Sequence, residues 1–125
     1  MRQKPMITHI KIVGIPVSDQ DRALRFYTEK LGFEVATDQP MGAQRWIELR
    51  VANSATRLAL FTPPGHESRI GSFFNGSIAC DNVEATFRQL SQRGVEFTQP
   101  PTKQPWGTFA KFRDPDGNEF VLSSS

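Results

Sequence analysis

Chemistry in this chain has to come from a short set of side chains. Glu48 and Glu119 fall in segments of extended character, and either carboxylate would serve as a general base if burial in a cleft raised its pKa. Trp46 and Trp106 offer large flat surfaces suited to an apolar, aromatic ligand, and Asn75, Ser77 and Thr108 are the small polar groups that would orient it. Each also has an ordinary structural reading: a surface salt bridge for a glutamate, core packing or a subunit contact for a tryptophan. His9 reads as a surface histidine at the entry to a strand. His66 falls in a polar loop that could border the mouth of a cleft. Cys80 follows an apolar strand and has Asp81 beside it, which disfavours a thiolate, so it reads as a small buried hydrophobe.

Other chemistries lack their residues. No glycine-rich phosphate loop, Ser-His-Asp arrangement or zincin motif occurs, and the glycines at 71 and 76 lead into a strand rather than a helix. Fifteen basic and thirteen acidic residues leave a formal charge of +2, spread without a basic stripe, which argues against a nucleic-acid surface. No apolar run is long enough to span a bilayer, so no membrane partner is expected. The lone cysteine rules out an intrachain disulfide, and Met-Arg-Gln-Lys-Pro is not followed by the apolar stretch of a signal peptide. A cytoplasmic protein of one domain, residues 1–125, is the expectation.

The elements that must position these residues are written twice. Residues 12–19 lie over 75–82 in residue type; Asp21 matches Glu84, Leu24 matches Phe87, and Arg25 recurs as Arg88. Each half opens with a short apolar strand ending at Ser18 or Asp81. Either residue can cap a helix, with an acidic residue three positions on. Leu24, Tyr27 and Leu31, and then Val83, Phe87 and Leu90, follow at helical spacing. Gly32 and Gly94 sit where a left-handed residue ends a helix. Three extended segments come next, 33–37, 45–51 and 57–61 in the first half and 96–99, 108–113 and 119–123 in the second. Asp116-Gly117 marks a hairpin turn. The halves span about 7–62 and 73–123, with a turn-rich linker at 63–72. Two such βαβββ modules predict an α+β fold whose curved, mostly antiparallel eight-stranded sheet encloses a cleft.

Val17-Ser-Asp-Gln-Asp-Arg-Ala-Leu-Arg-Phe-Tyr27, Leu31-Gly-Phe33 and Asp114-Pro-Asp-Gly-Asn118, in this order and on a duplicated chain, resemble the vicinal oxygen chelate superfamily of glyoxalase I, bleomycin-resistance proteins and extradiol dioxygenases. The resemblance implies a homodimer. In metal-dependent members it also implies one divalent cation, held by His or Glu on the first and last strand of each module. The aligned positions here are Ile12, Ala59, Asn75 and Val121, three hydrocarbons and an amide, so neither a metal nor another cofactor is expected. His9 has the wrong strand parity to substitute, whereas Glu119 shares the face of Val121.

These readings converge on a metal-independent small-molecule binding protein with an apolar or aromatic ligand in its cleft, similar to bleomycin-resistance members that act by sequestration. The alternative is an enzyme of the same superfamily (lyase, isomerase or dioxygenase) with relocated ligands or a carboxylate base. A third reading is a regulatory subunit without a ligand. Fold alone does not choose among them.

Overall fold

A computed structural model describes residues 6–72 and 74–124. The first module runs β1 (Ile12–Pro16), α1 (Gln20–Arg25), a continuing wider helical turn (Phe26–Lys30), β2 (Glu34–Met41), β3 (Gln44–Arg50) and β4 (Arg57–Phe61). A single 3₁₀ turn (Glu67–Arg69) interrupts the linker. The second module repeats the order as β5 (Asn75–Cys80), α2 (Val83–Gln92), β6 (Glu96–Gln104), β7 (Gly107–Arg113) and β8 (Glu119–Ser124).

The eight strands form two four-stranded sheets, β1-β4-β3-β2 and β5-β8-β7-β6. In each, the first strand pairs in parallel with the last and the other pairings are antiparallel. No ladder joins the two sheets among the described residues, so β1 and β5 are both sheet edges.

β2 and β6 run beyond the segments expected from sequence, passing through Pro40 and through Pro100-Pro101. Proline lacks the N–H of a ladder bond, but both are edge strands, where one side of the backbone needs no partner. Register shifts between Phe97 and Gln99, and again before Thr102, absorb the irregularity in β6.

The helices are capped one residue later than the sequence suggests. Asp19 accepts from the Arg22 N–H, and Asn82 from the Ala85 N–H. Ser18 is turned away from the helix instead: its N–H and hydroxyl donate to the Asp116 carboxylate, and its hydroxyl oxygen accepts from the Arg22 guanidinium rather than from a backbone N–H. Gly32 and Gly94 have φ of +79° and +88°, as helix-ending glycines require.

One face of each sheet packs on its helix. Ile15, Ile47, Leu49 and Leu60 meet Ala23, Phe26 and Tyr27, while Ala110, Phe112, Phe120 and Leu122 share a continuous cluster with Val83 and Leu90. Tyr27 bridges the modules, its ring 6.0 Å from that of Phe120 and its hydroxyl donating to Asp114 at 2.7 Å. Asp114 is 4% exposed, yet all its acceptor capacity is used. It also accepts from the Asn118 side chain and from the backbone N–H groups of Asp116 and Asn118. Asn118 in turn donates to the Pro16 carbonyl. The Asp114-to-Asn118 turn of the second module is therefore the polar joint that seats it on the first.

Candidate functional site

Alternation along the strands decides which residues the open faces of the sheets present. With Ala110, Phe112, Phe120 and Leu122 buried toward the helices, the residues between them face the other way. The open face of the second sheet carries Asn75, Ser77 and Ala79 on β5, Glu119, Val121 and Ser123 on β8, and Phe109, Lys111 and Arg113 on β7. That of the first carries Ile12, Gly14, Arg57, Ala59, Phe61, Trp46 and Glu48.

The four positions aligned with metal ligands lie on these open faces. Ile12 pairs with Arg57, Gly14 with Ala59, Asn75 with Glu119 and Ser77 with Val121, so the aligned slots are geometrically equivalent between the modules. Three hydrocarbons and a carboxamide do not fit a divalent cation. Among the described residues no three His, Cys, Asp or Glu side chains are grouped to hold one.

A cavity of about 800 Å³ opens between the modules, beside the β5 edge. Val13, Leu58, Ile78 and Phe120, all of helix-side parity on their strands, make its apolar walls with Phe33 and Phe74, while Asn75 and Ser77, of open-face parity on the β5 edge, border it together with Asn53 and Ser54 of the β3–β4 turn. This volume and lining are those of a small-molecule pocket. The structure thus brings together two of the five expected ligand-binding residues. Phe33, Phe74 and Phe120 are not among the expected ligand contacts, since nothing local in the sequence reveals that the two modules leave a gap there.

The other three lie elsewhere. Trp46 is on the open face of the first sheet, where its indole N–H donates to Glu48 at 2.6 Å. Trp106 is at the tip of the β6–β7 hairpin, 67% exposed and stacked on Phe109 with ring centroids 5.6 Å apart. Thr108 shares the parity of Ala110 and Phe112 and so belongs to the helix side of its sheet. Its repeat partner is Arg45. Trp46 corresponds to Phe109, because Glu48 and Lys111 hold equivalent register positions against Ala59 and Val121.

Neither candidate base is free. Glu48 accepts from Trp46 and from Arg57 at 3.0 Å. The Trp46 indole N–H first, and then the Arg57 guanidinium, hold its carboxyl below the ordinary glutamate value, the opposite of what a base at neutral pH needs. Glu119 accepts from the Thr98 hydroxyl at 3.0 Å. Cys80 is partly buried against the core, and His9 is exposed with Thr8 beside it. His66 borders a small cavity of about 160 Å³ with Gly14, Phe61 and Phe74, a place at the cleft side of the linker.

Residues 7–122 match the model of the Glyoxalase/Bleomycin resistance protein/Dioxygenase superfamily. The chain belongs to this superfamily. It is 38% identical over 120 residues to the uncharacterized protein YetH of Bacillus subtilis (strain 168), covering 94% of this chain and 98% of that protein. Among solved structures it resembles TnmS3, described as an antibiotic binding protein from Streptomyces sp. CB03234, at 35% identity and a TM-score of 0.85, with 97% of this chain and 98% of that one covered. A superfamily member from Sphaerobacter thermophilus DSM 20745 superposes with a TM-score of 0.86 at 33% identity, over 97% of this chain and 100% of that one. The superfamily thus accounts for the duplicated fold. No helix among the described residues is long and apolar enough to cross a membrane.

Proposed function

We propose that this superfamily member is a metal-independent binding protein for a small, mostly apolar aromatic molecule. The observation that carries the reading is the 800 Å³ cavity, apolar in its walls and edged by Asn75 and Ser77. An apolar site with a few convergent polar groups binds by desolvation and orients by hydrogen bonding. Glu48, already tied to Trp46 and Arg57, does not favour acid–base turnover. The likeness to TnmS3 supports an antibiotic-sized ligand.

The protein acts as a homodimer in this reading. The exposed side chains of Met6, Ile7 and Ile10, just before β1, are a surface a second copy would cover. Sedimentation at micromolar concentration should give a dimer.

The test of binding is a thermal-shift panel of aromatic antibiotics against the wild type and Ser77→Trp, which places an indole at the cavity mouth from an exposed position. Binders should raise the melting temperature of the wild type only. Chelation, followed by Ni, Zn, Mn or Fe(II), should leave the melting curve unchanged. A stoichiometric metal in the purified protein, or equal ligand shifts in both proteins, would overturn the reading.

A further inference from the structure

Duplication has produced two equivalent platforms on the open faces, and they have diverged in charge. In the first, the aromatic ring is Trp46 and the neighbouring charge is Glu48. In the second, the equivalents are Phe109, with Trp106 stacked on it, and Lys111. The first platform is closed upon itself: the indole N–H is spent on Glu48, and Arg57 neutralises the carboxylate.

The second platform is open. The Lys111 ammonium makes no hydrogen bond or ion pair among the described residues, although the residue is only partly exposed. The other charges on that face are engaged, Arg113 with Glu96 at 2.6 Å and Glu119 with Thr98. Lys111 pairs in register with Val121, which pairs with Ser77 at the cavity mouth. Two strand spacings put its Cα roughly 10 Å from that of Ser77, and Phe109 is roughly 7 Å along the same strand face. A ligand that extends from the cavity around the β5 edge, past Ser77, onto this face therefore meets a flat aromatic pair and one uncompensated cation.

We infer that Lys111, with Phe109 and Trp106, selects ligands whose aromatic system carries a negative charge. This rests on the binding reading above and adds the ligand's charge class to it. The ammonium supplies a charge-assisted hydrogen bond to the anionic group, and the Phe109–Trp106 pair stacks on the ring that bears it.

The test uses two probes with one framework: 8-anilinonaphthalene-1-sulfonate, which is anionic, and N-phenyl-1-naphthylamine, the same rings without the sulfonate. Fluorescence titration should show that Lys111→Met weakens the sulfonate about tenfold and leaves the neutral probe unchanged. Trp106→Ala should weaken both. Lys103→Met is the control for general charge attraction, because Lys103 pairs with Thr108 on the other parity of the hairpin, and it should change neither. Equal losses of the sulfonate in Lys103→Met and Lys111→Met would overturn the inference. So would unchanged sulfonate binding in Lys111→Met; if Ser77→Trp still blocks both probes, the binding reading survives that result. Absence of binding by either probe to the wild type would count against both.

Discussion

Removing the Tyr27 hydroxyl tests whether the Asp114 joint couples the two modules. Tyr27 is fully buried, and its O–H is one of four donors on a carboxylate that is itself buried. Burial first, and the Asp114 charge next, push the phenol far above its usual range, so it is a donor at every accessible pH. Tyr27→Phe keeps the ring packing on Phe26, Phe33 and Phe120 and deletes only that donor. Because the acceptor is charged but retains three other bonds, the expected loss is about 1–2 kcal/mol. Asp114→Ala strands several buried donors at once and should cost about 3–5 kcal/mol. In the Asp114→Ala background the hydroxyl has no acceptor, so adding Tyr27→Phe should cost nothing or restore some stability. Urea unfolding followed by far-ultraviolet circular dichroism and by tryptophan fluorescence gives all four corners of the cycle. A coupling energy of about 1–2 kcal/mol is expected. If the two losses simply add, or if Tyr27→Phe changes stability by less than about 0.3 kcal/mol, the joint is not what the geometry implies.

Gly71 offers a second check on how the linker closes over that joint. It has φ of +76°, and a Cβ there would overlap the Asp116 carbonyl oxygen, so Gly71→Ala should cost about 2–4 kcal/mol. Gly42 also has a positive φ but open space around it, and Gly42→Ala should cost only about 1 kcal/mol by the same denaturation assay. Comparable losses at the two sites would mean that the linker yields. For Glu48, a folded-state pKa held down by Trp46 and Arg57 means stability that is present above the unfolded-state value and lost as pH falls through the lower folded value. Asp38, held down by the Arg45 side chain, and Asp19, held down by the Arg22 N–H, act in the same direction. In a Trp106→Phe protein, Trp46 emission should therefore titrate below the ordinary glutamate range, and Glu48→Gln should erase that step. A midpoint at or above the ordinary value would refute the pairing.

Much of this architecture is local and was legible in the sequence. Strand alternation, helical spacing and the helix-ending Gly32 and Gly94 depend on near neighbours, so two βαβββ modules could be drawn before any contact was known. The parity of Ile12, Ala59, Asn75 and Val121 is equally local, and it put all four on one side of their strands. Parity could also have pointed to Lys111, two residues along the strand from Phe109, but its significance depends on having no counter-charge.

What required tertiary structure was every question of partnership. Ser18 has the chemistry of a cap, yet it is held by Asp116, nearly a hundred residues away, with its hydroxyl oxygen accepting from the Arg22 side chain, and capping passes to Asp19. Thr108 lies one residue from the ring that matches Trp46, and that single step turns it to the helix side. Glu48 is a lone carboxylate in the sequence, whereas in the fold it is bound by an indole and a guanidinium. The cavity arises because β1 and β5 end their sheets without pairing to each other. Spacing along a chain fixes which way a residue faces, but what it faces is set by the docking of segments remote in sequence.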